Sequence, residues 1–160
     1  MSVIRVAWGH ATAPTALSAY DAALAAANVH NYNLLSLSSV IPAGATIERV
    51  DTAPDLGPAG EGLHVVQSHE IVEPGSDDPA VAGVGWLRSE SGRGIFYEVS
   101  GTDRDGVEAA IREGISAGRD LREWEFDEEP QIQIATADPD PDEHAAAVVV
   151  AAYGRSEPLL

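Results

Sequence analysis

Apolar side chains recur at every second position in several stretches of the chain, which is the period of a β-strand. In the first stretch, Ser2–Trp8, the side chains of Ile4, Val6 and Trp8 fall on one face. The same alternation, or a continuous apolar run of strand length, predicts further strands over residues 46–50, 63–72, 80–87, 94–99, 131–136 and 144–153. The chain is therefore predicted to be rich in β-structure.

One segment shows the spacing of an amphipathic helix, with apolar positions three or four residues apart. Thr15 is expected to cap this helix, which runs to about Ala27. Its predicted apolar face consists of Leu17, Tyr20, Leu24 and Ala27. Asp21 borders that face, and a carboxylate buried there needs a partner because an unpaired buried charge is unfavourable.

A second helix is predicted after the helix-start box Thr102–Asp105 and ends near Gly118. It places Val107, Ile111 and Ile115 on one face. Two helices among many strands, with only loose alternation between them, indicate an α+β fold built in layers. We predict a single compact domain over residues 1–160, arranged as a layered αββα-type sandwich.

Two stretches are expected to connect these elements. Gly9–Pro14 is predicted to be a loop. Asn33–Ile41 is predicted to be an extended, largely buried segment that Pro42 ends.

The charge balance excludes several partners. Against 26 Asp and Glu stand nine basic residues, all of them arginine, which gives a formal net charge of -17. Such a chain has no basic stripe for nucleic acid and no attraction to an anionic membrane. The acid surplus is typical of a salt-adapted protein, because a Debye length of about 3 Å at 1 M salt screens the self-repulsion. An acidic protein of a low-salt cytosol is the alternative.

Other sequence signals exclude common cofactor sites and membrane attachment. The chain has no cysteine, its five histidines lack zinc-site spacing, and it contains no phosphate-binding glycine motif. No run is apolar enough to span a membrane, and the N-terminus lacks the basic start of a signal peptide. We therefore expect a cytoplasmic protein without a metal.

A pair of adjacent serines marks the most informative segment. Ser38 and Ser39 lie between apolar residues and shortly before Pro42, a pattern that an ordinary strand with two small hydroxyls would also show. The residues that accompany the pair, in order along the chain, are Pro14, Ala19, Asp21, Ala23, Leu24, Asn31, Asn33, Glu98, Val107, Gly118, Trp124 and Glu125. This ordered set, over about residues 5–153, resembles the pyruvoyl-dependent arginine decarboxylases.

The resemblance implies that the chain makes its own carbonyl cofactor. The hydroxyl of Ser39 attacks the carbonyl of Ser38, and elimination of the resulting ester, followed by hydrolysis, leaves a covalent pyruvoyl group at position 39. The expected products are residues 1–38, the β chain, and residues 39–160, the α chain with its N-terminal pyruvoyl. This ketone forms a Schiff base with the substrate α-amine, so neither pyridoxal phosphate nor a metal is expected.

The resemblance also implies roles for three polar side chains. Glu98 protonates the carbanion left by decarboxylation; it shares a strand face with Phe96, where desolvation would keep it protonated. Asn33 holds the carbonyl of the scissile bond or of the pyruvoyl amide. Asp21 receives the substrate guanidinium bidentately. The expected substrate-binding set is Asp21, Leu17, Tyr20 and Leu24, with the three larger side chains along the aliphatic stem.

Without the resemblance, the residues alone permit a simpler interpretation of each of these side chains. Asp21 would then pair with an arginine of the protein itself, Glu98 would be a solvated acid on an edge strand, and Asn33 would be a turn residue before a strand.

The expected activity is the conversion of the small-molecule amino acid L-arginine to agmatine and CO2. Family resemblance further implies a homotrimer of cleaved protomers with each site at a subunit interface, where Asp21 of one protomer meets Ser39 of another. One alternative is a pyruvoyl-dependent decarboxylase of another amino acid, with ornithine or lysine ahead of aspartate because Asp21 favours a cation. The other is an unprocessed, non-catalytic homologue with an assembly or regulatory role.

Overall fold

Two β-sheets packed face to face, each covered on its outer side by one helix, form the fold. The computed structural model describes residues 2–127 and 129–160. Met1, in the N-terminal stretch considered for a signal peptide, and Glu128 lie outside the described residues. In chain order the elements are β1 (Ser2–Ala13), α1 (Ala16–Ala26), β2 (Asn33–Ser36), β3 (Val40–Ile41), β4 (Ala45–Asp51), β5 (Gly62–Val72), β6 (Ala80–Arg88), β7 (Gly94–Gly101), α2 (Arg104–Asp120), β8 (Gln131–Ala137) and β9 (His144–Tyr153).

The strands divide between two sheets. Sheet A has the strand order β2-β5-β9-β1-β4, and sheet B has the order β3-β7-β6-β8. Helix α1 packs on β1, β9 and β5 of sheet A, whereas α2 packs on β6, β7 and β8 of sheet B. The predicted α+β fold and its layered sandwich are therefore confirmed, and the six later strands lie within two residues of their predicted ends.

The core lies mainly between the sheets. Ile4, Val6, Val84, Phe96 and Val149 meet there and are almost fully buried. The alternate residues of β9 face α1 instead, so this central strand is apolar on both faces and shows no polar alternation. Burial of each valine or larger aliphatic side chain contributes about 1.5–3 kcal/mol.

Strand β1 is longer than predicted. Ile4, Val6 and Trp8 do share the face toward sheet B, but the loop predicted over Gly9–Pro14 is wrong, because the strand continues to Ala13. Its antiparallel pairing with β9 continues to the Ala13–His144 pair. A partner strand supplies backbone hydrogen bonds here, where small residues give little strand signal.

Helix α1 begins at the predicted cap, and of its predicted apolar face Leu24 and Ala27 are buried and Tyr20 packs against the core, but Leu17 does not. The Thr15 hydroxyl accepts from the backbone N–H of Ser18. Leu17 is 76% exposed, and the fully or nearly buried side chains of the helix are Ala19, Ala23 and Leu24. Small alanines let the helix backbone approach β1, whereas the larger Leu17 points to solvent. Asp21 is exposed as well, so the expected need for a buried partner is wrong for the single chain.

Helix α2 has the predicted buried face of Val107, Ile111 and Ile115. Its cap is Asp103 rather than Thr102, because the Asp103 carboxylate accepts from the backbone N–H of Gly106. None of the helices in the described part of the chain is long and apolar enough to cross a membrane.

The segment Asn33–Ile41 is neither one extended element nor largely buried. Strand β2 pairs in parallel with β5 of sheet A, and β3 pairs antiparallel with β7 of sheet B. The chain leaves sheet A after the Leu37 N–H donates to the Val65 carbonyl, then crosses to sheet B through Ser38 and Ser39. Because both strands lie at sheet edges, most of the segment is exposed or only partly buried.

The close approach of α1 to β1 at Gly9 can be tested by measuring the stability of a variant. A Cβ atom there would lie 2.4 Å from the Ala23 carbonyl oxygen. We expect Gly9→Ala to lower the free energy of unfolding by about 1–3 kcal/mol, as overpacking does. The measurement is urea unfolding in high-salt buffer.

Gly44→Ala is the matched control for that variant. No heavy atom of the described residues lies within 4 Å of a Cβ built on Gly44. Its unfolding midpoint should stay at or slightly above that of the parent. Equal midpoints for the two variants would contradict the close packing of α1.

Candidate active site

The two serines lie in a cleft at the edge of sheet B, where the chain crosses between the sheets. The cleft has a volume of 280 Å³. Its walls are Ser38, Ser39, Ile95, Phe96, Tyr97, Glu98, Gly118, Leu121 and Arg122. Strand β7 forms one side of this serine cleft, and the C-terminal end of α2 with the residues after it forms another.

Ser39 adopts a backbone conformation that L-residues rarely take. Its φ is 75°, in the left-handed region, which costs about 1–2 kcal/mol for a residue with a Cβ. Two contacts hold it there: the Phe96 N–H donates to the Ser39 carbonyl at 2.8 Å, and Val40 pairs with Ile95. The strain lies directly beside the Ser38–Ser39 peptide bond.

The Ser39 hydroxyl is fixed by a carboxylate. Ser39 Oγ donates to Glu98 Oε2 at 3.0 Å. Glu98 shares the Phe96 face of β7 as the alternation predicted, but its side chain is exposed, so the expected desolvation is absent in the single chain. The carboxylate therefore orients the hydroxyl while it remains accessible to solvent or to another molecule.

Tyr153, at the end of β9, is a neighbour of this site that the sequence analysis missed. Its hydroxyl donates to the Val40 carbonyl at 2.8 Å, and its ring lies 6.1 Å from that of Phe96. Burial, and secondly the charge of Glu98, raise the pKa of Tyr153 from 10.0 to about 12. The odd-numbered residues of β9 face sheet B. The alternation along β9 could therefore have indicated that the side chain of Tyr153 points toward sheet B.

Arg122 brings a cation into the serine cleft. Its Nη1 donates to the Gly118 carbonyl at 2.7 Å, and its guanidinium lies 5.6 Å from the centre of the Trp124 ring. Gly118 and Trp124 belong to the ordered set found in the sequence, whereas Arg122 itself carried no signal there.

The remaining predicted site residues lie elsewhere in the chain. The Asn33 amide donates to the Gly60 carbonyl at 2.8 Å, at the start of β2. Asp21 is exposed on α1, on the side of sheet A that faces away from sheet B. The structure thus brings Ser38, Ser39 and Glu98 together and leaves Asn33, Asp21, Leu17, Tyr20 and Leu24 outside the serine cleft of the same chain.

The three apolar side chains expected along the substrate stem differ in accessibility. Leu17 is exposed, and the Tyr20 hydroxyl donates to Gln67 on β5. Leu24 packs into the core beneath α1, so little of it is open to a ligand.

No cluster of three potential metal-ligating side chains occurs within residues 2–127 and 129–160.

Comparison with known proteins decides the family. A sequence model of the family described as pyruvoyl-dependent arginine decarboxylase matches residues 3–158. The chain belongs to this family. Membership confirms the resemblance drawn from the sequence, and with it the predicted enzyme class of carbon–carbon lyases.

Three curated relatives, each named pyruvoyl-dependent arginine decarboxylase, show the range of similarity within the family. The protein of Halobacterium salinarum is 52% identical over 161 residues, covering 99% of this chain and 98% of the relative. That of Pyrococcus horikoshii is 40% identical over 116 residues, covering 71% and 72%. That of Methanocaldococcus jannaschii is 31% identical over 121 residues, covering 74% and 71%.

The residues of the serine cleft fit the prosthetic group that the family name specifies. A pyruvoyl group forms from a hydroxyl-bearing residue, and Ser39 is one, with its Oγ fixed by Glu98. Its neighbour Ser38 supplies the carbonyl that the hydroxyl must reach.

The backbone strain at Ser39 can be measured without any cleavage. Ser39→Gly and Ser39→Ala both lack the hydroxyl, but only glycine adopts a positive φ freely. We expect the glycine variant to be more stable than the alanine variant by about 1 kcal/mol. Chemical denaturation of the two uncleaved chains measures the difference.

Ser36 provides the matched pair, because it lies in strand β2. There Ser36→Gly should be less stable than Ser36→Ala, since glycine weakens a strand. The same order of stability at both positions would mean that Ser39 is not strained.

Proposed function

We propose that this chain decarboxylates L-arginine to agmatine and CO2, using a pyruvoyl group that it makes from Ser39. The observation that carries the proposal is the Ser39 hydroxyl held 3.0 Å from Glu98, on a left-handed residue next to Ser38. Family membership and the relatives' names support the choice of reaction.

Self-cleavage follows from the chemistry of this serine. Ser39 Oγ forms a bond to the Ser38 carbonyl carbon, the peptide C–N bond breaks, and the hydroxyl proton moves to the freed nitrogen. Loss of the Ser39 α-proton then breaks the Cβ–O bond, which frees the Ser38 carboxylate. Hydrolysis of residue 39 consumes one water, releases ammonia and leaves the ketone. The chain separates into residues 1–38 and 39–160.

The pyruvoyl group supplies a ketone that binds the substrate amine and accepts the electron pair released with CO2. Glu98 contacts Oγ of residue 39, so its carboxyl group lies beside the residue that becomes the ketone, where it can donate a proton to the α-carbon of a substrate bound there. The Phe96 N–H, which donates to the carbonyl of residue 39, holds the same residue in place after cleavage.

A complete site requires two protomers in this proposal. Asp21 is exposed, yet both sheets separate its helix from α2, and each layer adds roughly 10 Å. A second copy is needed to place an exposed Asp21 next to the serine cleft. There its carboxylate receives the guanidinium, and Asn33 of the same neighbouring copy reaches the amide of residue 39. We propose a trimer as the assembly, in line with the sequence expectation.

The composition supports a salt-rich cytoplasm as the working environment. A net charge of -17 on 160 residues repels itself strongly unless salt screens it.

A product screen tests the proposed reaction. Protein purified in high salt is incubated with arginine, ornithine, lysine or aspartate, and the amines formed are measured by mass spectrometry. We expect agmatine as the main product, with kcat/KM for arginine at least about tenfold above that for ornithine, because a bidentate guanidinium contact is lost.

Ser39→Ala is the control for that screen and should form no amine. Amine formation by Ser39→Ala would overturn the pyruvoyl assignment, and a different main product would overturn the substrate. An inactive parent chain would favour a non-catalytic homologue.

Mixed oligomers test the shared site. Asp21→Asn should raise KM for arginine, and Glu98→Gln should lower kcat through loss of the proton donor. When the two variants are co-expressed, some sites combine Glu98 of one chain with Asp21 of the other, so kcat/KM for arginine should exceed that of either variant alone. The double variant Asp21→Asn/Glu98→Gln, expressed alone, should stay inactive. A mixture no more active than its separate components would place each site within one chain.

A further inference from the structure

The carbonyl of Val40, the residue after the strained Ser39, accepts a hydrogen bond from a side chain of the other sheet. Strand β3 is an edge strand of sheet B, and the carbonyl of Ser39, the residue just before it, accepts from the Phe96 N–H on β7. Successive carbonyls of a strand point in opposite directions, so the Val40 carbonyl points away from β7. There the hydroxyl of Tyr153, from sheet A, donates to it at 2.8 Å.

We propose that Tyr153 is a positioning residue for the self-cleavage: its hydroxyl holds the Val40 carbonyl and so keeps Ser39 in the left-handed conformation from which Oγ attacks Ser38. The proposal rests on the self-cleavage described above and adds a residue outside the serine cleft to it. The proposed role of Tyr153 is exerted through the backbone of Val40, which its hydroxyl contacts.

Two hydrogen bonds in opposite directions explain why the conformation persists. A peptide free to rotate would relax Ser39 out of the left-handed region, since that relaxation is favourable by about 1–2 kcal/mol. The Phe96 N–H fixes the carbonyl of residue 39, and the Tyr153 hydroxyl fixes the carbonyl of residue 40. The first bond fixes the peptide plane between Ser39 and Val40, and the second fixes the plane between Val40 and Ile41, so the backbone that follows Ser39 is held on both sides of Val40.

The surroundings of Tyr153 keep its hydroxyl a donor. Its ring is anchored against Phe96, and burial and the neighbouring Glu98 raise the pKa of Tyr153 to about 12. The phenol therefore stays protonated in neutral and moderately alkaline solution. Glu98 also holds Ser39 Oγ, so Glu98 fixes the nucleophile and Tyr153 fixes the backbone of the next residue, Val40.

The test follows cleavage of newly made chains over time. Parent, Tyr153→Phe and Tyr32→Phe chains are synthesised in a cell-free system at high salt, and the appearance of fragment 1–38 is measured by mass spectrometry. Tyr32 is the matched control, because its hydroxyl also donates to a backbone carbonyl, that of Gly57, away from the serine cleft.

We expect cleavage of Tyr153→Phe to be at least about tenfold slower than that of the parent, as misplacement of a nucleophile would cause. Cleavage of Tyr32→Phe should match the parent. Cleavage of Tyr153→Phe at the parent rate would overturn the proposal, as would equal slowing of both variants, which would indicate general loosening. An uncleaved parent chain would instead refute the proposed function.

Hydroxylamine cleaves the ester once the ester has formed. It therefore distinguishes a defect in ester formation from a defect in the later steps of self-cleavage. Positioning acts before ester formation, so hydroxylamine should accelerate cleavage of the parent and leave Tyr153→Phe slow. Rapid release of fragment 1–38 from Tyr153→Phe by hydroxylamine would show that the ester forms normally, and would overturn the proposal.

Discussion

The left-handed backbone of Ser39 is the constraint on which the site depends. A serine gains nothing locally from φ near 75°, so surrounding contacts must stabilise it. Phe96 of sheet B donates to the Ser39 carbonyl itself, and Tyr153 of sheet A donates to the next carbonyl, that of Val40. The chain crosses from sheet A to sheet B at Ser39. Contacts from both sheets therefore reach this part of the backbone, although strand β3 is only two residues long.

The layered architecture also underlies the proposed division of the site between two copies. The serine cleft opens at the edge of sheet B beside α2, whereas Asp21 lies on α1, beyond the outer face of sheet A. A single chain thus carries Ser39 and the proposed proton donor, Glu98, in one place and the proposed guanidinium receptor in another. An exposed Glu98 and an exposed Asp21 are consistent with two half-sites that meet when copies assemble.

Periodicity predicted the regular elements well, because sheet alternation and the apolar face of α2 reflect burial directly. Periodicity failed where the structure of a segment depends on contacts with residues that are distant in the chain. Gly9–Pro14 is strand because β9 pairs with it, and α1 buries alanines rather than Leu17 because Gly9 allows close approach. Resemblance located Ser38, Ser39 and Glu98. Tyr153 was not predicted because the contact that brings it beside the site, to the Val40 carbonyl, spans more than 100 residues of chain.

The most direct test of the account is the intact mass of the purified protein under denaturing conditions. The account predicts two chains, residues 1–38 and residues 39–160, with the second lighter by one ammonia than a serine-ended fragment and resistant to stepwise degradation from its N-terminus. A single unbroken chain in a preparation that forms agmatine would contradict it.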